Sequence, residues 1–256
     1  MVGDEILDGF TQDTNSHWML QRLRGLGHHT RWVKIIRDHP PQIAEVVSNA
    51  LREAELGMVF LCGGLGPTPD DRTFAALAQA LDVDLVVEPN TREQIDNKIA
   101  EFRARNRMGP GESNEGHRKM ALLPAGWTEV ITNRAGMAPC PVYHAGNPPK
   151  LLFVLPGVPI ELRTTWAEEL EPNWLSGAAR PPHVQEVNFA GAIEGRFYTV
   201  LTELETTFPM VRMGSYPNFE THVLTIRATG ADAVQVDAAI NLLLARMAQV
   251  GIKPLT

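Results

Sequence analysis

Between Met58 and Leu81 an unbroken apolar run, Met-Val-Phe-Leu-Cys, gives way to Gly63-Gly64-Leu65-Gly66-Pro67-Thr68-Pro69, then to two aspartates, then to an Ala/Leu/Phe pattern that begins at Thr73. A short continuous apolar run suits a strand buried on both faces, and such strands belong to parallel sheets. A strand that feeds a helix through a glycine-rich turn leaves main-chain N–H groups free at the helix start. Glycine lets that backbone adopt positive φ and approach a ligand closely, and the helix dipole favours an anion there. In an open α/β sheet such a turn lies at the carboxyl edge of the strands, where ligands bind.

The rest of the chain alternates in the same way. Helices are expected at Asp13–Leu26, at 40–56 behind Pro40-Pro41, at Thr73–Leu81, Thr91–Arg105 and Pro159–Leu170. Strands are expected at Thr30–Ile36, Met58–Cys62, Asp84–Glu88, Thr128–Ile131, Cys140–His144 and Leu151–Leu155, with the fourth and fifth forming part of a hairpin. Met108–Gly116, rich in Gly and polar residues, reads as a mobile loop. This order predicts a three-layer α/β fold, a mostly parallel sheet with helices on both faces, over residues 1–176. Ser176–Pro182 reads as a linker. Beyond it a strand at Val184–Ala190, a helix at Glu194–Leu204, strands at Val211–Met213 and Thr221–Ala228 and a long amphipathic helix at Ala231–Val250 predict a small α+β domain over 183–252.

Composition narrows the function classes. The 256 residues suit one large domain or a medium one with a small partner, and can bury a core without staples. Lys and Arg number 23 against 30 Asp and Glu, a net charge of −7, which argues against a nucleic-acid surface. The Arg103-Ala104-Arg105-Asn106-Arg107 cluster reads as a solvated helix end. Two cysteines, Cys62 and Cys140, have no CxxC partner, so neither a disulfide framework nor a zinc ribbon is expected. No run approaches the length of a membrane span, and the N-terminus lacks a signal-peptide pattern. A cytoplasmic protein with reduced thiols is expected.

Four segments carry candidate chemistry. Asp70 and Asp71 do not suit a bare phosphate cradle, because carboxylates repel phosphate. They make sense with a cation between, since Mg²⁺ is held by one or two carboxylates plus phosphate oxygens. The alternative is that Asp71 caps the helix at Thr73 while Pro67 and Pro69 stiffen the turn. The stretch is neither a P-loop nor a GxGxxG fingerprint. Gly3-Asp4-Glu5-Ile6-Leu7-Asp8-Gly9 is a second candidate loop whose acids help bind a cation, with Asp13 to Asn15 as helix cap or substrate contacts. Leu155-Pro156-Gly157-Val158-Pro159 is another strand–turn–helix passage, or simply a stiff turn. Met213-Gly214-Ser215-Tyr216-Pro217 is either a hairpin turn or a place where Tyr216 stacks on a base. The eight histidines form no metal pairing, and the Glu115–Lys119 run around His117 reads as surface, although Arg118 and Lys119 can reach a phosphate. No serine has a nucleophile-elbow setting.

These segments, in order, resemble the CinA N-terminal domain of the molybdopterin-binding (MoaB/Mog-like) superfamily. The resemblance rests on Gly3-Asp4-Glu5-Ile6-Leu7 with Asp13-Thr14-Asn15, on Gly63-Gly64-Leu65-Gly66-Pro67-Thr68 with Asp70-Asp71 and Thr73, on Asn114 with Lys119-Met120-Ala121, on Asn133 with Gly136 and Ala138-Pro139, and on Leu155–Pro159. Gly214-Ser215-Tyr216-Pro217 is similar to a motif of stand-alone members and of the hydrolytic domain of eukaryotic FAD synthases. The resemblance covers nearly the whole chain. It implies metal-dependent hydrolysis of a pyrophosphate bond in ADP-ribose, FAD or a related dinucleotide. The alternatives are a non-hydrolytic binding module for molybdopterin or another phosphorylated pterin, and an inactive scaffold. On the hydrolytic reading Gly63, Gly64, Leu65, Gly66, Pro67 and Thr68 form the phosphate loop, and Asn114 and Lys119 serve the second phosphate. Pro156, Gly157, Ser215 and Tyr216 complete the substrate contacts. Asp71, with Asp70, Asp4 and Glu5, holds a divalent cation (Mg²⁺, Mn²⁺ or Co²⁺), a monovalent cation being a further option, and a homodimer or other homo-oligomer is expected. Two departures stand out. The family places a strand before Gly3, of which Met1 and Val2 are present, and Cys140 stands where many relatives have glycine. No counterpart of the deamidase domain of full-length CinA is present, so nicotinamide-mononucleotide deamidation is not expected.

Overall fold

A computed structural model of the protein describes residues 1–105, 114–177, 180–191 and 193–255. Most of the expected loop Met108–Gly116, Asn106 and Arg107 of the basic cluster, and Ala178-Ala179 of the expected linker lie outside the described residues. Contacts divide the chain into two units, Met1–Arg22 with Thr30–Gly177, and Leu23–His29 with Ala178–Thr256.

The first unit begins with α1 (Asp4–Leu7), α2 (Thr14–Gly25, which continues into the Leu23–His29 segment) and α3 (Pro40–Arg52). β1 (Met58–Cys62), α4 (Thr73–Leu81), β2 (Leu85–Val87), α5 (Pro89–Ala104) and α6 (Glu115–Met120) follow. β3 (Leu122–Pro124), β4 (Glu129–Ile131), β5 (Cys140–Ala145), β6 (Lys150–Leu155), α7 (Pro159–Thr165) and a wider, π-type winding over Trp166–Leu175 complete it. The main sheet has the order β1-β6-β5-β4, and β2 and β3 form a separate antiparallel pair. β1 and β6 are parallel, while β5 is antiparallel to both β6 and β4, so the sheet is mixed. The two antiparallel steps are the β4–β5 and β5–β6 hairpin connections, which need no crossover helix. Their consequence is that β1, β6 and β4 all end on one edge.

Pleating sorts the side chains between two helical layers. Val59, Leu61, Leu152 and Val154 share a buried cluster with Ile43, Val47, Ala50 and Leu51 of α3 and Ala76 and Leu77 of α4. Phe60 and Phe153, one residue out of phase, stack with centroids 5.1 Å apart on the other face. There Trp166 lies 5.5 Å from Phe60, and Trp18 of α2 meets Trp166 edge-on at 5.6 Å. Each fully buried aliphatic or aromatic of this kind is worth about 1.5–3 kcal/mol, which is why the two-faced apolar runs of β1 and β6 fix the middle layer.

Several local expectations change. Thr30–Ile36 is not a full strand: its pairing is a single parallel bridge of Ile36 to Val2, beside which the Lys34 oxygen accepts from the Met1 ammonium at 2.8 Å. Gly3 to Leu7 is not all loop, since Asp4–Leu7 winds one helical turn. The helix from Pro159 does not continue as α beyond Thr165. Pro172 lies within the widened segment, where a residue lacking N–H cannot join a regular ladder.

In the second unit, β7 (His183–Ala190), a 3₁₀ turn (Glu194–Phe197), α8 (Tyr198–Thr207), β8 (Arg212–Asn218), β9 (Val223–Gly230) and α9 (Ala233–Gln249) build an antiparallel sheet of order β7-β9-β8. Leu224, Ile226 and Ala228 alternate inward on β9 and join Phe189, Phe197, Leu204, Val236 and Leu243 in one core. Gly214-Ser215-Tyr216-Pro217 is not a turn. It runs inside β8, and the chain reverses beyond it, where His222 takes φ +53°.

Candidate functional site

The ends of β1, β6 and β4 line up because the register carries Cys62 opposite Leu155 and Ile131 opposite Cys140. The segments that leave this edge are those the sequence marks. Gly63 and Gly64 follow β1 with φ +98° and +66°. A side chain at Gly63 would lie 2.2 Å from the Val2 carbonyl oxygen, and one at Gly64 would lie 2.4 Å from Thr73 Oγ1. Thr73 holds the turn by donating from Oγ1 to the Gly63 oxygen at 2.8 Å and from its amide to the Gly64 oxygen at 3.2 Å.

The loop amides fall into two groups. Gly63 N–H donates to the Leu155 oxygen at 3.1 Å, and Thr68 N–H donates to Asp71 Oδ2 at 3.0 Å. Both are spent on the protein, as is the Thr68 hydroxyl, which donates to the same carboxylate oxygen at 2.6 Å. Gly63 and Thr68, expected as phosphate donors, therefore build the loop instead. The amides of Gly64, Leu65 and Gly66 have no acceptor among the described residues. Successive amides in a turn entered through positive φ form an anion-binding concavity. Leu65 is buried and anchors this stretch, and Pro67 has no N–H to offer.

Asp71 does not cap α4. The N-cap position belongs to Arg72 and carries no side-chain cap bond. Asp71 closes the Thr68–Asp71 turn from both ends, since its own amide donates to the Thr68 oxygen at 3.2 Å. Asp70 is exposed, and the polar groups of Thr68 beside it, with Lys119 and Arg72 nearby, hold its carboxyl below the ordinary value. Lys119 Nζ donates to the Asp71 main-chain oxygen at 2.7 Å and also to the Thr68 main-chain oxygen. Desolvation lowers its pKa, against the pull of Asp71 and Asp70. Asn114 is the N-cap of α6, accepting from His117 N–H at 3.1 Å, while His117 Nδ1 accepts from Asn114 N–H at 3.3 Å. His117 is thus a buried capping partner and not a surface residue.

One site residue escapes the sequence reading. Asp38 follows the Ile36 bridge and accepts from Asp4 N–H at 2.9 Å. Its carboxyl is pushed up, first by burial and then by the charges of Asp4, Glu5 and Asp70. A side chain at Gly64 would come within 3.1 Å of Asp38 Oδ1, so this acid faces the glycine turn. Arg37 pairs with Asp8 at 2.7 Å and Asp4 at 3.3 Å. A recess of about 580 Å³ opens beside these groups. The donors are all hard oxygens, which fit a divalent cation of the Mg²⁺ type completed by phosphate oxygens. Among the described residues no group of three His, Cys, Asp or Glu forms a ready-made cage.

The third loop touches the first. Gly157 approaches so closely that a side chain there would lie 3.2 Å from Gly63 Cα, and Pro156 beside it is buried. Asn15 is buried and donates from Nδ2 to the Gly157 oxygen at 2.7 Å, while Asp13 caps α2 by accepting from Ser16 N–H at 2.9 Å. Ser215 and Tyr216 lie on β8 of the second unit. Ser215 Oγ donates to Glu194 at 2.6 Å, and the Tyr216 ring sits 4.5 Å from the Arg227 guanidinium.

Residues 1–175 match the family described as "Probable molybdopterin binding domain". The chain belongs to the CinA-like molybdopterin-binding superfamily. Residues 182–255 match "FAD synthase, middle domain". The chain is similar to a protein of Pyrobaculum calidifontis, 31% identical over 95% of this chain and 92% of the relative. It is also similar to a CinA-like protein of Synechococcus, 30% identical over 94% of this chain but only 55% of the relative's length. Among solved structures it resembles the protein CinA with unknown function from Thermoplasma acidophilum, at TM-score 0.58 and 29% identity, over 67% of this chain and 93% of that one. Membership of this superfamily accounts for the α/β unit with its loops at one sheet edge. Among the described residues no helix is long and apolar enough to cross a membrane.

Proposed function

We propose that this protein is a metal-dependent nucleotide pyrophosphatase that hydrolyses the phosphoanhydride of ADP-ribose, FAD or a related dinucleotide. The observation that carries this reading is the open run of amides at Gly64, Leu65 and Gly66, faced by Asp38 and Asp71. The similarity of residues 182–255 to a domain of FAD synthase supports a flavin dinucleotide as one substrate.

On this reading the three amides hold one phosphate, and Lys119 keeps their loop in shape through the Thr68 and Asp71 oxygens. The third N–H of its ammonium and the Asn114 amide group serve the second phosphate. Asp71 and Asp70, with Asp4, Glu5 and Asp38, hold a divalent cation, which neutralises charge developing on the phosphoryl oxygens and favours attack by water. Asn15 and Gly157 fix the floor between the loops. The test is incubation of the purified chain with ADP-ribose, FAD or NAD and Mg²⁺, Mn²⁺ or Co²⁺, scoring AMP release. Release that is lost in Asp71→Ala supports the enzyme.

A second reading, binding of a phosphorylated pterin without hydrolysis, is favoured by the match of residues 1–175 to a molybdopterin-binding domain and by the lack of a ready-made metal cage among the described residues. Tight pterin binding with no AMP released under any metal would select it over the first.

A further inference from the structure

A second cavity opens on the same sheet edge. It measures about 250 Å³ and lies between α5 and residues 131–139, the segment that joins β4 to β5. Because β4 runs parallel to β1, the exit of β4 at Ile131 stands in the same row as the exits of β1 and β6. Three strand spacings separate β1 from β4, about 14 Å along the edge. That is the scale on which a nucleotide extends from its phosphates to its base. The segment is held firmly. Asn133 Nδ2 donates to Glu161 of α7 at 2.6 Å and to the Ala138 oxygen at 3.1 Å, and its Oδ1 accepts from Gly136 N–H at 3.0 Å.

The lining excludes some ligands. Two cations border it: the Lys98 ammonium is directed to the Arg134 carbonyl at 3.0 Å and to Glu101 at 3.5 Å, and the Arg134 guanidinium is paired with Glu168 at 3.3 Å and Glu169 at 3.2 Å, so the cavity offers little to an anion. Ile95, Met137 and Pro139 give apolar surface, while Gln94, Asn97 and Thr132 supply neutral amide and hydroxyl groups at the rim. Thr91, only 2% exposed, borders the cavity with a hydroxyl that has no partner among the described residues. Apolar walls with a few neutral donors and acceptors suit a flat, uncharged heterocycle with a polar edge.

We propose that this cavity receives the base of the nucleotide whose phosphates lie on the Gly64–Gly66 amides. The inference rests on the pyrophosphatase reading for the identity of the ligand, and on topology for its position.

The test compares AMP with ribose 5-phosphate, its base-free counterpart, by calorimetric titration of the full chain with Mg²⁺. AMP is expected to bind about tenfold tighter or better, the scale of one good pocket contact set. Asn97→Trp and Thr132→Trp, which fill the cavity from opposite walls at exposed positions, are expected to remove that advantage and leave ribose 5-phosphate unchanged. Thr91→Val, which keeps shape and deletes the hydroxyl, is expected to weaken AMP alone. Equal binding of the two ligands, or variants that weaken both alike or neither, overturns the proposal. Hydrolysis separates the two ideas. ADP-ribose cleavage with an unchanged KM in both Trp variants leaves the pyrophosphatase and removes the base pocket, whereas an AMP preference that maps to the cavity without any cleavage does the reverse.

Discussion

The main-chain amide of Asp4 donates to the Asp38 carboxylate at 2.9 Å, and the Asp38 amide donates back to Asp4 Oδ1 at 3.3 Å. This reciprocal pair joins the start of α1 to a segment 34 residues further on and sets the Asp38 carboxylate against the glycine turn. Burial and like charges push the Asp38 carboxyl up, so its ionised form is disfavoured by the fold. A raised folded pKa means that the native state holds its proton more tightly, and stability falls as pH rises through that value. Asp38→Asn keeps an oxygen for Asp4 N–H and removes the charge. Its melting temperature at pH 7 is expected to match or exceed that of the unaltered chain. The metal concentration for half-maximal AMP release is expected to rise about tenfold. A lower melting point, or an unchanged metal requirement, would place Asp38 outside the cation site.

Lys119 acts on the loop from outside it. Its ammonium satisfies two carbonyl oxygens of the Thr68–Asp71 turn, and Gly116 of the same helix lies so close to Pro67 that a side chain would come 2.4 Å from the Pro67 oxygen. Lys119→Met deletes the charge and keeps the stem. It is expected to cost about 1–2 kcal/mol in denaturant unfolding and to reduce kcat/KM for ADP-ribose about tenfold or more. Loss of activity without loss of stability would assign Lys119 to the phosphate alone.

What was legible in the sequence follows from locality. β1, α4 and β6 are written in contiguous apolar patterns, and their limits agree with expectation within a residue. The glycine loop was legible because Gly63 and Gly64 answer a steric demand set by their immediate neighbours. Asp38 was not, because its place depends on a bridge between Ile36 and Val2, and a lone acid after a fragmentary strand carries no local pattern. The helix Glu115–Met120 escaped for a different reason. Its capping box uses His117 in the position where glutamate or glutamine is usual, so a buried cap looked like a surface charge run. Gly214 and Pro217 beside Tyr216 favour a turn locally, but cross-strand pairing of Tyr216 with Thr225 overrides that preference.

The two cysteines lie on adjoining parts of the sheet edge yet are sealed from solvent. Cys62 and Cys140 are both fully buried, and burial raises the Cys62 thiol to about 12 and pushes the Cys140 thiol up as well. The thiolate is the reactive form, so at pH 8 neither residue is expected to react with a disulfide reagent such as dithiobis(nitrobenzoate) in the native chain. Both are expected to react after unfolding in guanidinium. Rapid native labelling of either thiol would show that the edge opens.

Two glycines with positive φ separate backbone strain from steric conflict. Gly64 has φ +66°, and a methyl group there would strike Thr73 Oγ1 at 2.4 Å, whereas Gly126 has φ +91° and open space around the added carbon. Gly126→Ala is expected to cost about 1 kcal/mol, the conformational penalty alone. Gly64→Ala adds the displacement of Thr73, whose hydroxyl holds the Gly63 oxygen, and is expected to cost about 2–3 kcal/mol. The ligand readout separates them further. Because the Gly64 amide is one of the three unspent donors, Gly64→Ala is expected to weaken pyrophosphate binding at least about tenfold, and Gly126→Ala to leave it unchanged. Equal pyrophosphate affinity in the two variants would mean that the phosphate does not sit on this turn.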